Sequence, residues 1–395
     1  MSGRRVGKFK ELSYGCDGTK TGCHPIGRSG HSMVADDADI YVFGGYNPRG
    51  CLRENIESAC VLVELWKFNF ATWKWTNLTS PGVPDTCASS CMVLRGRKLF
   101  VYGGTGFPFG EMMSNTVKVC ECSLGLQHRS YWYLLETNPN VYNCLDLGDN
   151  MPPRAYGQSL IFHEDSLYTF GGAVGFYDEA VNDLHRLNCR TLIWEKLSPS
   201  GDIPSGRYKQ EVALYRGRFF VFGGGRLHFT EELKSIFAYD VTANRWEEIR
   251  TARDPLQGYP AARCSFGLVQ IGCWVYICGG RFYIDTVPHV GLTDIWKISL
   301  ESFQWCRVPV VLPEKLYFHR AVVSPSYHLY VYGGVTDGGV RSSRMFRWRI
   351  PYHVPKLKEL SWETVSTHFR ALDRLPKETL EMTYGIPRQY VDRIS

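Results

Sequence analysis

The chain has 395 residues, 44% of them hydrophobic and 14% aromatic, so it can bury a large core and does not have the composition of a disordered protein. Its formal net charge is only +6, with Lys and Arg dispersed rather than gathered in a run, which argues against a nucleic-acid-binding role. No stretch approaches 18 apolar residues and the first fifteen residues hold no apolar leader, so neither a membrane span nor a secretory signal is expected.

The 14 cysteines include several inside apolar strand-like runs, such as Cys278 in WVYICGG. Free thiols in a reducing, intracellular compartment, cytoplasmic or nuclear, are therefore expected. CASSC (87–91) and CEC (120–122) lack the company of a zinc site, and no metal or cofactor is expected.

In chain order, the segment GKFKELS (7–13) comes first and has the look of an isolated strand. A phrase of two or three apolar residues followed by Gly-Gly then recurs six times, with pairs beginning at 44, 103, 171, 223, 279 and 333, at intervals of 52 to 68 residues. Before each pair stands a polar start with Arg, Ser, Gly or His. After most pairs come a variable loop and a strand such as ELWKFNF (64–70), DLHRLN (183–188), IFAYDV (236–241) or DIWKISL (294–300). A last strand carries Trp75, Trp132, Trp194, Trp246 or Trp305.

Four short strands per unit of about fifty residues are the kelch signature. One four-stranded sheet cannot bury both its faces, whereas six packed radially can. The expected fold is all-β: a six-bladed kelch β-propeller over residues 1–354. The sixth unit lacks a Trp strand of its own, so residues 7–13 are expected to supply its fourth strand and close the ring. GGTGFPFG (103–110) has neither the Lys-Ser/Thr ending nor the following helix of a phosphate-binding loop and reads as an inter-strand loop.

After Pro355 the strand period vanishes. Leu357, Leu360, Val365, Phe369, Leu372 and Leu375 recur at helical spacing, and Pro376 and Pro387 stand where further short helices begin. Residues 355–395 are expected to form a short α-helical tail, with an apolar face that either pads the propeller or docks into a partner.

Within the tail, KLKELSWETV resembles the elongin-binding box of ubiquitin-ligase receptors. Leu357, Ser361 and Val365 fill its positions at i, i+4 and i+8, on one helix stripe with Leu360 beside it. Lys356 departs from the usual small residue or Pro before the Leu. LPKETL (375–380) resembles a cullin-2 box with Leu375 and Pro376 in place and the next apolar residue one position late. From about residue 26 to the end, the chain resembles the kelch-domain substrate receptors of cullin-2 RING ubiquitin ligases. YVFGGYNP (41–48), GGTGFPFGE (103–111), YPAARC (259–264), DIWKISLESFQW (294–305) and YFHRA (317–321) are its more specific points.

The resemblance implies a non-catalytic receptor subunit. Its partners would be elongin B–elongin C, cullin-2 with its RING subunit, and the C-termini of client proteins, often ending in small residues. A site for a free C-terminus needs an Arg for the carboxylate and limited space beyond the last side chain. In the family an Arg just after the fourth glycine pair serves this role; Arg226 is the nearest match, offset by one, and the family's second Arg falls near Glu231. Arg281 directly follows the fifth pair. Arg28, Arg154, Arg207, Arg263 and Arg320 stand at unit starts, and Tyr46, Tyr156, Tyr208, Tyr317, Phe318 and His319 complete the candidate pocket. The competing expectation for the repeated Arg is a bond to a carbonyl or acid of the blade frame. An oxidase site is not expected, since the 11 His are scattered. The alternative function is a non-ligase kelch scaffold binding actin or a signalling protein.

Overall fold

A computed structural model describes residues 7–13, 23–49, 57–122, 130–137, 150–175, 179–226, 229–284, 287–369 and 372–394. Its strands form six blades of four antiparallel strands, the fourth blade extended by a short parallel strand at Ser200–Gly201, and their first strands are Ser32–Ala35, Cys91–Arg95, Ser159–His163, Glu211–Tyr215, Gly267–Ile271 and Arg320–Val323. These first strands are one another's neighbours around the ring and line its central channel.

The sixth blade consists of Arg320–Val323, His328–Tyr332 and Met345–Arg349, completed by the N-terminal strand Lys10–Glu11. Lys10 pairs with Arg347 and Glu11 with Phe346, antiparallel. Trp348 Nε1 donates to the Gly7 carbonyl at 2.9 Å, Glu11 bonds Arg344 at 2.9 Å, and Leu12 is buried. Both ends of the propeller thus share one sheet, as expected from the missing sixth-blade strand.

The recurring phrase has two jobs. Its last apolar residue is usually aromatic and packs on a Trp of the neighbouring blade: Phe43 on Trp132, Tyr102 on Trp194, Phe170 on Trp246, Phe222 on Trp305 and Tyr332 on Trp75, with centroids 5.1–6.3 Å apart. The glycine pair then stitches blade to blade. The second glycine's N–H donates to the start of the next unit, from Gly45 to Cys87, Gly104 to Ala155, Gly172 to Arg207, Gly224 to Arg263, Gly280 to Leu316 and Gly334 to Arg28. Gly44 shows why glycine is needed: its φ is +66°, and a Cβ there would collide with the Cys87 carbonyl.

The tail forms helices α1 (Leu357–His368), α2 (Lys377–Met382) and α3 (Arg388–Val391), the last two capped by Pro376 and Pro387. The apolar residues of the tail do not share one face. α1 ends at His368, so Phe369 is its C-cap, while Leu372 lies in a separate 3-10 turn and is buried. No helix among the described residues is long and apolar enough to cross a membrane. The free-thiol expectation needs one correction: Cys23 is disulfide-bonded, whereas the ten other described cysteines are free.

Candidate functional site

At the end of the channel where the glycine pairs lie, six residues hold left-handed backbone: Gly30, Ser89, Gly157, Lys209, Ser265 and Phe318, with φ from 55° to 69°. Each N–H donates to the carbonyl of the one before it. Ser89 donates to Gly30, Gly157 to Ser89, Lys209 to Gly157, Ser265 to Lys209, Phe318 to Ser265 and Gly30 to Phe318, all at 2.7–3.1 Å. The result is a closed hydrogen-bonded ring around the channel mouth. Two of its six members have no side chain, so Ser89, Lys209, Ser265 and Phe318 set its chemistry.

The Lys209 side chain lies over Gly157 and donates from Nζ to Ser89 Oγ. Its ammonium sits 5.1 Å from the Phe318 ring and 5.7 Å from the Tyr156 ring. No described carboxylate lies within ion-pair distance of it. Burial, and then the charges of Arg320 and Arg281, lower its pKa to about 7. Deeper in the channel, Glu211 is paired with Arg320, beside a small cavity of about 120 Å³.

Above the ring, aromatic side chains form a rim. Tyr46 meets Phe109, Phe109 meets Tyr156, and Tyr156 meets Tyr208, with centroids 5.3–6.1 Å apart. On the opposite side, Arg281 is 8% exposed and caged by Phe318, Tyr317 and Tyr283 at 4.5, 4.9 and 5.0 Å. It donates to Tyr283 Oη at 2.7 Å, but among the described residues its Nε has no hydrogen-bond partner and no carboxylate pairs with it. Ser265 Oγ is likewise buried without a partner among the described residues. Arg341 stands over Tyr46 at 5.5 Å and donates to Ser29 Oγ at 3.3 Å. A buried guanidinium and ammonium, with unused donors and an aromatic rim, suit a small carboxylate carried on an extended chain.

The structure therefore brings Tyr46, Tyr156, Tyr208, Arg281, Tyr317 and Phe318 together around one mouth. It takes Arg207 and Arg263 out of the pocket. Arg207 donates to the Ser205 and Gly223 carbonyls and pairs with Glu231; Arg263 donates to Ala261 and Gly279 and binds Asp294 through both ends of its fork. Arg28 repeats this bracket with Ile26, Gly44 and Glu64. For these three the frame expectation holds, because each is nearly or fully buried and its donors are already used. His319 is also withdrawn: it is 1% exposed, 3.7 Å from Cys278 Sγ, and held neutral by a burial-lowered pKa of about 4. Arg226 is exposed on a short hairpin, its guanidinium 5.2 Å from Phe229, and Arg154 is exposed at the start of its unit.

Lys209, the ring's only charged member, escaped the sequence reading. The signal was a lysine in GRYKQ at the place where GRSGH has Gly30: a left-handed slot that costs a side-chain-bearing residue about 1–2 kcal/mol.

The tail occupies the other end of the propeller. Asn69 donates to the Arg393 carbonyl at 2.7 Å, Arg393 pairs with Glu359 at 2.7 Å, and Trp362 stacks on Tyr390 at 5.2 Å. Glu363 is held by Arg347 and lies 3.3 Å from His328. Glu359, Trp362 and Ser366 thus form the buried side of α1. The other side keeps Leu357 79% exposed and Ser361 exposed, with Leu360 half-buried, whereas Val365, the third position of the expected stripe, packs against the buried cluster of Trp362; Leu375 and Pro376 are exposed just beyond.

Two family models match the chain: "KLHDC2/KLHL20/DRC7 Kelch-repeats domain" over residues 124–334 and "Kelch motif" over residues 27–82. The chain is 37% identical to kelch domain-containing protein 10 of Rattus norvegicus over 380 residues, which covers 94% of this chain and 86% of that one. The Homo sapiens protein of that name is also 37% identical, with 94% and 80% covered, and the Drosophila melanogaster homolog is 34% identical, with 94% and 62% covered. Among solved structures, YjhT superposes with a TM-score of 0.61 at 14% identity, covering 84% of this chain and 98% of that one; the likeness is one of fold.

Proposed function

Since the chain belongs to the kelch domain-containing protein 10 family, a kelch-repeat family, we propose that it is the substrate-recognition subunit of a cullin-2 RING E3 ubiquitin ligase. It reads C-terminal degrons of client proteins at the ringed mouth and holds elongin B–elongin C through α1. The observation that carries the first half is Arg281, buried in an aromatic cage with an unused Nε and no carboxylate partner among the described residues. Nothing in the blade frame requires that arrangement, whereas a client carboxylate would complete it.

A C-terminal carboxylate lies between Arg281 and Lys209, with Ser265 Oγ as a further donor. The chain before it runs out over the rim of Tyr46, Tyr156, Tyr208 and Tyr317. Lys209 and Phe318 close the channel below, so the last residue meets a floor. Cations held in a nearly water-free site bind an anion more strongly than exposed ones, because less solvent screens them.

The tail supports the second half. One side of α1 is fastened to the propeller by Trp362 and Glu363, and the opposite side leaves the Leu357 and Ser361 stripe for an adaptor. Leu375 and Pro376 extend that surface toward the cullin. Clients and ligase machinery would then occupy opposite ends of a rigid body, and ubiquitin transfer is done by the partners.

Co-purification with elongin B–elongin C tests the adaptor half, using the wild type and Leu357→Asp. The expected result is a stable complex with the wild type and none with the variant, at unchanged melting temperature. If neither binds, the tail is padding and the chain is a kelch scaffold for a partner such as actin or a signalling protein.

A further inference from the structure

A second charged cleft lies at the other end of the propeller, between the N-terminal closing strand and α1. It encloses about 960 Å³. Lys8, Lys10, Arg347 and Arg349 line it, and among the described residues its one acidic lining residue is Glu363. The closing strand explains the crowding. Lys10 is the cross-strand partner of Arg347, and Lys8, just before the strand, lines the same cleft as Arg349. Four cations therefore crowd one cleft at the edge of the sixth blade. Like charges directly opposite in a sheet repel.

Glu363 does not balance them. It is already engaged by Arg347 and lies against His328. Lys8, Lys10 and Arg349 have no carboxylate within ion-pair distance among the described residues. The neighbouring His328 reports the same field: burial, then Arg347 and Arg349, depress its pKa to about 2. The remaining walls mix apolar Trp73, Trp348, Val354 and Pro355 with polar His353 and Thr367.

We propose that this cleft docks an acidic peptide segment of a partner protein, with an apolar residue of that segment set among Trp73, Val354 and Pro355. Two features select a peptide. The volume is at the upper end of the range for a bound ligand. The mixture of cations with indole and aliphatic wall suits alternating acidic and apolar side chains better than a bare polyanion. Occupancy would remove the repulsion across the closing strand, so binding here also tightens the ring closure. The site is independent of the degron reading, since it uses neither the ringed mouth nor Leu357.

The test is fluorescence anisotropy with a labelled nine-residue peptide of Glu and Asp carrying one Leu and one Phe, on the full-length protein. The expected result is saturable binding that weakens as salt rises, and at least tenfold weaker binding to the Lys8→Glu/Arg349→Glu double variant. Arg349→Glu alone serves as the folding control. It places Glu in the cleft beside Lys8 and Lys10, so its melting temperature should not fall, while its peptide affinity should drop. Absence of binding, or equal binding by wild type and double variant, overturns the proposal. An all-acidic peptide that binds as tightly, with inositol hexakisphosphate displacing it, also overturns it and makes the cleft a small-polyanion site.

Discussion

Replacing Lys209 with Met should make the protein more stable and a poorer receptor at once. Lys209 ionises near pH 7 instead of the 10.5 of a free lysine, because it is buried and faces Arg320 and Arg281. A pKa pushed that far down means that keeping the ammonium in the ring costs, at most, roughly a few kcal/mol. Relaxation of the mouth and loss of the Ser89 bond reduce what Met can recover, to about 1–3 kcal/mol at pH 6.

The sign with pH follows from the depressed pKa. Between about pH 7 and 10.5 the unfolded chain carries a proton that the native chain lacks, so wild-type stability rises with pH across that window. Below about pH 7 both states are protonated and the full penalty applies. Lys209→Met lacks this contribution, so its advantage is largest at acid pH and shrinks toward pH 10. A bound carboxylate reverses the preference, favouring the ammonium. Wild-type affinity for a C-terminal peptide should therefore fall as pH rises through about 7, while the variant binds at least tenfold more weakly without that step. Urea unfolding at pH 6, 7.5 and 9, with calorimetric peptide titrations at the same pH values, reads both effects. A variant that is less stable at every pH, or that binds peptide with the wild-type pH profile, refutes this role for Lys209.

Other substitutions separate pocket, tail and ring. Arg281→Ala should cost about 2–5 kcal/mol of peptide binding, out of the roughly 8 kcal/mol of a micromolar complex, and so abolish it in a titration. Trp362→Ala, which removes the side chain stacked on Tyr390, should destabilise the tail by about 3 kcal/mol, whereas Leu357→Asp should leave the melting curve in place; denaturation of both variants checks the contrast. Truncation before residue 14 removes the strand paired with Arg347 and Phe346, buries Leu12 no longer, and should lower the melting temperature by many degrees in a thermal scan.

The repeat was legible because its parts are local. Gly-Gly after an aromatic, and Trp one strand later, each mark a fixed place in a blade, and the pairing of Phe43 with Trp132 or Phe170 with Trp246 follows from the period. Even the closing strand could be read, from the absence of a Trp strand in the sixth unit. The mouth was only half legible. Arg207 and Arg281 look alike in the sequence, each close to a glycine pair or a unit start. What separates them is whether a carboxylate of the same blade reaches them. Arg207 finds Glu231, while Arg281 finds three rings and the Tyr283 hydroxyl but no described carboxylate. That difference depends on loop paths, which carry no period. Lys209 was hidden by a related effect, since its importance comes from a ring of six residues drawn from six units. In the tail, spacing revealed the helices but not their two sides; Trp362 pointing in and Leu357 pointing out depends on the propeller surface beneath them.

The most direct measurement compares one client-like peptide in two forms, with a free C-terminal carboxylate and with a C-terminal amide, binding to the wild-type protein. Receptor recognition of a C-terminus predicts that the acid binds and the amide binds at least fiftyfold more weakly, with Arg281→Ala erasing the difference. Equal affinities for acid and amide would contradict a carboxylate site at the ringed mouth, and with it the reading of this chain as a C-terminal degron receptor.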